Sequence, residues 1–136
     1  MSPLTIVIPG DPVPYARTGG GRGTPRFTPP KQRNAMAYIR MLAAQEMAGR
    51  PPLAGPVALS MRAVMEVPKS WSKKKQADAL TGAIRPCKKP DLSNLQKLVE
   101  DALNQIVFLD DCQIVNVQAE KAYGPQALTV VTVKEI

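Results

Sequence analysis

The chain has no histidine. That absence removes Ser-His-Asp and Cys-His catalysis, and with them imidazole ligation of a metal. Its two cysteines, Cys87 and Cys112, are far apart and form no CxxC unit, so the spacing of a zinc site is missing and two free thiols are the simplest state. Aromatic residues make up only 4% of the chain, which leaves few stacking platforms for a single strand of nucleic acid. No apolar run approaches the length that spans a bilayer. The N-terminus, Met1-Ser2-Pro3-Leu4-Thr5, has no basic segment leading into an apolar one and does not read as a secretory signal, so the expected location is cytoplasmic.

Positive charge is what the chain has in excess: 18 Lys and Arg against 11 Asp and Glu, a net charge of +7. Such a balance favours phosphate backbones or other anionic surfaces without choosing between them. A membrane surface is the weaker choice, because no basic amphipathic helix with bulky apolar anchors is evident. At 136 residues and 44% hydrophobic content, the expectation is a single globular domain over 1–136 with a modest core.

Leu4 to Ile8 is β-branched and reads as a strand stopped by Pro9-Gly10-Asp11-Pro12. The glycine-rich stretch that follows carries Arg17, Arg22 and Arg26, and reads either as a solvated loop or as an arm that orders on DNA phosphates. Lys31 to about Ala48 reads as a helix with Met36, Ile39, Leu42, Ala43 and Met47 at helical spacing, ended by Gly49 and Pro51-Pro52. On it, Tyr38 and Arg40 suit a partner or packing equally. Val57 to Val67 is a second strand, with Val57, Leu59, Met61, Ala63 and Met65 on one face. Ser72 reads as the N-cap of a short helix, Lys73 to Leu80. Lys69, Lys73, Lys74, Lys75, Arg85, Lys88 and Lys89 make this connector the most basic part of the chain. A charge run of this kind is either a solvated face or a phosphate contact, and it leads directly into the main acidic motif.

The clearest helix runs from about Leu92 to Gln105. Leu92, Leu95, Leu98, Val99, Ala102, Leu103 and Ile106 form one stripe, and Asn94, Lys97 and Asp101 another. Asp91 precedes it, after Pro90, in the position of a helix cap. Val107-Phe108-Leu109 leads into Asp110-Asp111. Ile114 to Ala122 and Ala127 to Val133 read as strands, with Tyr123-Gly124-Pro125-Gln126 suited to a hairpin turn between them. The order β-α-β-α-β-β, with the short helix inserted before the main one, predicts an α+β (α/β) fold. A mixed four-stranded sheet would be packed by two main helices.

Acidic residues flank the long helix, Asp91 before it and Asp110-Asp111 after it. Carboxylates that converge in a fold can hold one or two Mg²⁺ ions, which activate water and neutralise charge in phosphodiester hydrolysis, and a lysine steadies the phosphate. A helix of this length spans about 20 Å, so its two ends need not meet, and Asp101 stands where it could bridge the gap. Asp110 and Asp111 point to opposite faces if they lie in a strand, and can face one metal only if they lie in a turn. The bland alternatives are a helix cap for Asp91 and an exposed i,i+4 ion pair for Lys97 and Asp101.

Three stretches carry a family resemblance: Lys89-Pro90-Asp91-Leu92-Ser93-Asn94-Leu95-Gln96-Lys97, Glu100-Asp101-Ala102-Leu103-Asn104 and Leu109-Asp110-Asp111-Cys112-Gln113-Ile114. Together they resemble the RusA family of Holliday junction resolvases. Ile8-Pro9-Gly10-Asp11-Pro12-Val13-Pro14, Phe27-Thr28-Pro29-Pro30-Lys31 and Pro68-Lys69-Ser70-Trp71-Ser72 extend the likeness over almost the whole chain. The resemblance implies a small homodimeric, Mg²⁺-dependent endodeoxyribonuclease, with Mn²⁺ as a second candidate ion. Such an enzyme nicks two strands of a four-way junction symmetrically in DNA recombination and repair, and the family makes a prophage origin plausible. By motif position, Asp91 matches the first essential aspartate, Lys97 the catalytic lysine, and Asp110-Asp111 the pair that supplies a distal metal ligand. Taken with the placement of Asp101 on the helix, the expected catalytic residues are Asp91, Lys97 and Asp111, and the expected metal ligands Asp91, Asp110, Asp111 and Asp101. Ser93 departs from the pattern, since a second aspartate usually stands there. Glu100, two turns further along, is not an obvious substitute.

Three readings follow: a junction-cutting nuclease, a branched-DNA-binding protein that does not cut because Ser93 replaces the aspartate, and a basic RNA-binding or structural protein.

Overall fold

Residues 3–16 and 29–136 are described by the computed structural model. In Leu4–Pro9 (β1), Leu4, Ile6 and Ile8 are buried and the residues between them exposed, as in a strand with one wet face. Val57–Glu66 (β2) buries Val57, Leu59, Met61 and Ala63 in the same way, while Met65 is half-buried. Pro30–Met47 (α1) starts with Pro30 in the first turn, where a missing N–H costs nothing. It ends where Ala48 and Gly49 turn left-handed, at φ 50° and 81°. Lys73–Thr81 (α2) is capped as expected: the Ser72 hydroxyl accepts the Lys75 N–H at 3.2 Å.

Leu92–Leu103 (α3) is shorter than the apolar stripe predicts, by one residue pair at its C-terminal end. Asn104 leaves the helix with ψ 134°, and Gln105 takes φ 69°. The freed carbonyls of Ala102 and Asn104 are taken by an Arg40 N–H at 3.0 and 3.2 Å. Arg40 is thus a packing residue that ties α1 to the end of α3. After a tight turn the chain buries Val107 and Phe108 and reaches a one-turn 3-10 helix, Asp111–Gln113.

Ile114–Gly124 (β3) and Leu128–Glu135 (β4) complete a mixed four-stranded sheet in the order β1-β4-β2-β3. The expected fold class and element order are the ones observed. The expected hairpin is not: β2 lies between β3 and β4, parallel to the first and antiparallel to the second. Burial explains the order. β4 buries Thr129, Val131 and Val133 completely or nearly so and half-buries the residues between them, which suits a central strand. β3 leaves Val115 and Asn116 to Gln118 exposed and carries Glu120 and Lys121, which suits an edge. The link between them therefore crosses the end of β2. Gly124 lies against Val64 there, and a Cβ added to it would stand 2.5 Å from Val64 Cγ1, so any larger residue would force the Val64 side chain to move.

α1 and α3 pack against each other on one face of the sheet, and the core lies between them and β1, β4 and β2. α2 sits at the β3 edge, where the Trp71 ring meets the Tyr123 ring edge-on at 5.3 Å and Lys75 lies 4.1 Å over Trp71. No helix among the described residues is long and apolar enough to cross a membrane.

Candidate active site

α3 sets most of the candidate site. Its buried stripe of Leu95, Leu98, Val99, Ala102 and Leu103 turns Lys97, Glu100 and Asp101 away from the core. Lys97 Nζ stands 3.6 Å from Asp101 Oδ2, with the lysine side chain 51% exposed and the aspartate 25%. The lysine also lies over the Tyr15 ring, 4.8 Å from its centroid.

At the other end of the helix, Asp91 occupies the cap position, yet its side chain makes no capping hydrogen bond. Its backbone carbonyl accepts the N–H groups of Asn94 and Leu95, both at 3.1 Å. The carboxylate is exposed and, among the described residues, has one hydrogen-bond partner, the Asn94 amide, at the outer limit of 3.5 Å. The capping expectation for the Asp91 side chain is thereby corrected: the backbone starts the helix and leaves the carboxylate open to other partners. The approach loop is held from the edge strand, where Lys121 Nζ donates to the carbonyls of Lys88 and Pro90 at 2.7 and 3.0 Å.

The acidic pair lies in a turn, not a strand. Asp110 and Gln113 form a reciprocal capping box around the 3-10 helix. Gln113 Nε2 then donates to the carbonyls of Leu53 and Gly55, each at 2.9 Å, which bolts the turn to the loop before β2. The two aspartates have different surroundings. Asp110 is exposed, and a hydrogen bond with the Cys112 thiol is the main cause that holds its carboxyl below the usual range; the same bond pushes the thiol up. Asp111 is half-buried and lies near enough to Glu100 for their charges to interact.

Burial pushes the Glu100 carboxyl above its ordinary range, and the charges of Asp111 and Asp101 add to the push. A hydrogen bond from Gln96 and the charge of Lys97 oppose it. Lys97, Glu100, Asp101 and Asp111 therefore share one electrostatic neighbourhood on the C-terminal half of α3. Ser93 is exposed in the first turn, near Asp91 in sequence. Both cysteines are free and exposed.

Among the described residues, no three Asp, Glu or Cys side chains stand close enough to hold a metal ion together. A ready-made cage of the kind that traps calcium or zinc is therefore not formed. Mg²⁺ is commonly held by one or two carboxylates with substrate phosphates and water, and separated carboxylates of this kind fit that smaller demand.

Lys69, Lys73, Lys74, Lys75, Lys88 and Lys89 are all exposed, on α2 and in the loops beside it. Arg17, Arg22 and Arg26 fall outside the described residues. Sequence reasoning missed Gln113, Lys121 and Tyr15. None belongs to an acidic or basic run, and each acts on a partner distant in sequence.

An α+β fold that sets a lysine among carboxylates, with the exposed Lys88 and Lys89 just before Asp91, is a frame for phosphodiester chemistry. The model of a family described as "Endodeoxyribonuclease RusA" matches residues 9–134. The chain belongs to the RusA endodeoxyribonuclease family. It is also similar to a protein of Bacillus subtilis (strain 168) described as "Uncharacterized protein YqaN", at 32% identity over 143 residues that cover 100% of this chain and 99% of the relative. Family membership implies nuclease activity.

Proposed function

We propose that the chain is a single-domain, cytoplasmic nuclease that resolves Holliday junctions by paired symmetric nicks in DNA recombination and repair. The observation that carries this reading is Lys97, held beside Asp101 within a group of carboxylates on the helix that the family motif opens. In this role the Lys97 ammonium donates to a non-bridging oxygen of the scissile phosphate and offsets charge that builds there. Asp91 and Asp111, with Asp110 or Asp101, are the carboxylates that would hold Mg²⁺, or Mn²⁺ in its place, each ion taking no more than one or two of them and completing its shell with phosphate and water. The ion, when bound, activates water and neutralises the leaving oxygen. Lys69, Lys73, Lys74, Lys75, Lys88 and Lys89, with Arg17, Arg22 and Arg26, contact the DNA backbone, so binding weakens as salt rises. A homodimer would present two sites to one junction and account for paired cuts.

The direct test is nicking of a synthetic four-way junction with and without Mg²⁺ or Mn²⁺. Asp91→Asn is expected to abolish cutting and leave junction binding largely intact. Cutting at the wild-type rate in that variant would remove Asp91 from the mechanism, and sedimentation of the free protein as a monomer would remove the dimer.

Ser93 favours a second reading. It brings a hydroxyl where the family pattern has a carboxylate, which suits a protein that binds branched DNA without cutting it. Tight junction binding with no nicks under either ion would select this reading. Preference for RNA or plain duplex over junctions would overturn both.

A further inference from the structure

Tyr15 lies in no acidic or basic motif, yet it touches the centre of the candidate site. Its ring lies beneath the Lys97 ammonium, with Nζ 4.8 Å from the centroid. Its backbone N–H donates to the Asn94 carbonyl of α3 at 2.9 Å. The next residue is held from the opposite side, where the Ala16 N–H donates to Gln32 Oε1 at 2.7 Å. Gln32 is itself a buried polar residue of α1. A segment with no helix or strand of its own is thus pinned to both packed helices, which sets the ring in place on α3.

Lys97 needs such a restraint. Half of its side chain is exposed, and its ion pair with Asp101 at 3.6 Å is an i,i+4 contact of the weakly restraining kind. An aromatic face attracts an ammonium through its quadrupole without using up any of the three N–H donors in a conventional hydrogen bond. We propose that Tyr15 is a positioning residue for Lys97, holding the ammonium over the carboxylate side of α3 with its donors free for a phosphate oxygen. This role rests on the reading of Lys97 as the residue that steadies phosphate charge.

Two measurements separate the contact from the chemistry. With ¹³C-lysine labelling, the ε-methylene signal of Lys97, assigned by its loss in Lys97→Gln, is expected upfield of the other lysines through the ring current of Tyr15. It stays there in Tyr15→Phe and moves to the ordinary lysine position in Tyr15→Leu. In single-turnover cutting of a four-way junction, Tyr15→Leu is expected to slow the reaction by about tenfold, the scale of a partly desolvated cation–π contact. Tyr15→Phe restores the rate to within about twofold of wild type, since the ring face is what attracts the ammonium. Junction affinity stays unchanged in Tyr15→Leu, while its thermal midpoint falls modestly because the ring packs against the core; Tyr15→Met serves in its place should that variant fold poorly. In a Lys97→Ala background the Tyr15 substitution has no further effect on the rate.

An unmoved Lys97 signal in Tyr15→Leu overturns the proposal. So does a wild-type cutting rate in Tyr15→Leu when Lys97→Ala is inactive, and then the role of Lys97 stands. If Lys97→Ala itself cuts as fast as wild type, the reading of Lys97 falls and the proposal falls with it.

Discussion

Gln113 Oε1 accepts the Asp110 backbone N–H at 2.8 Å, so the turn that carries the acidic pair is closed by the residue that ends it. The same side chain holds the carbonyls of Leu53 and Gly55. Gln113→Ala leaves these groups without their donor and is expected to lower stability by about 1–3 kcal/mol, the cost of partly buried polar groups left unpaired. Urea denaturation measures it, and an unchanged midpoint would show that water replaces the amide. Because Asp111 rides on this turn, cutting should fall further than stability alone explains.

Asp101→Asn separates stability from chemistry. A partly exposed i,i+4 pair at 3.6 Å contributes only about 0.3–0.5 kcal/mol, so the thermal midpoint should move little. DNA binding should stay level or tighten, since one negative charge is lost beside the phosphate path. Cutting should fall, because Lys97 loses its charged neighbour. Equal cutting rates in the variant and wild type would make the pair a surface contact only.

Ser93→Asp adds a carboxylate in the first turn of α3, where the helix dipole favours negative charge. It is expected to shift the midpoint of a Mg²⁺ titration of cutting to lower concentration, and to confer cutting if the parent proves inert. A midpoint that does not move, or moves upward, would place the metal away from this turn.

Glu100 makes stability depend on pH in a defined direction. Its carboxyl holds a proton more firmly in the folded state, chiefly because burial disfavours the charged form. Stability is therefore lost as pH rises from the ordinary glutamate range through the raised folded value. Glu100→Gln removes that penalty. It should be more stable than wild type at neutral pH, with the advantage vanishing below the ordinary carboxylate range. Parallel denaturation curves at acid and neutral pH check this, and an advantage that grows toward acid would reverse the assignment.

Asp110 carries the opposite sign. Its carboxyl is held low, first by the Cys112 thiol, so its contribution is present above the ordinary aspartate range and is lost as pH falls through the lowered folded value. Cys112→Ala should raise the titration midpoint of Asp110, followed by the carboxyl ¹³C shift. Asp110→Asn should bring the Cys112 thiol down and speed its alkylation. No change in either would break the link between the two side chains.

Much of the fold was legible because it depends on local pattern. The apolar stripe of α3, the alternation in β1 and β2 and the cap at Ser72 each follow from spacings of a few residues. The β3–β4 hairpin misled because a short Gly-Pro link has the same composition whether it turns back to the neighbouring strand or steps over one. Only the burial of both faces of β4 decides for the second. Within the site, Asp91, Lys97, Asp101, Asp110 and Asp111 were visible as charged residues in a motif. Tyr15, Gln113 and Lys121 were not, since each works through a backbone group or a ring far away in the chain.

By itself the sequence determined the chemistry on offer: no imidazole, an excess of cations, and acids with a lysine on and around one amphipathic helix. Residue type sets which protons and charges exist, and helical period sets which of them share a face. The tertiary structure decided which of those groups meet. It drew Asp111 toward Glu100, set Asp110 against Cys112, and left the Asp91 carboxylate out of the capping of α3 at the helix's other end. It also slid the ring of Tyr15 under Lys97. The Tyr15–Lys97 contact and the approach of Asp111 to Glu100 join different segments of the chain, and they form only when burying the core brings the sheet, two helices and their connecting turns together.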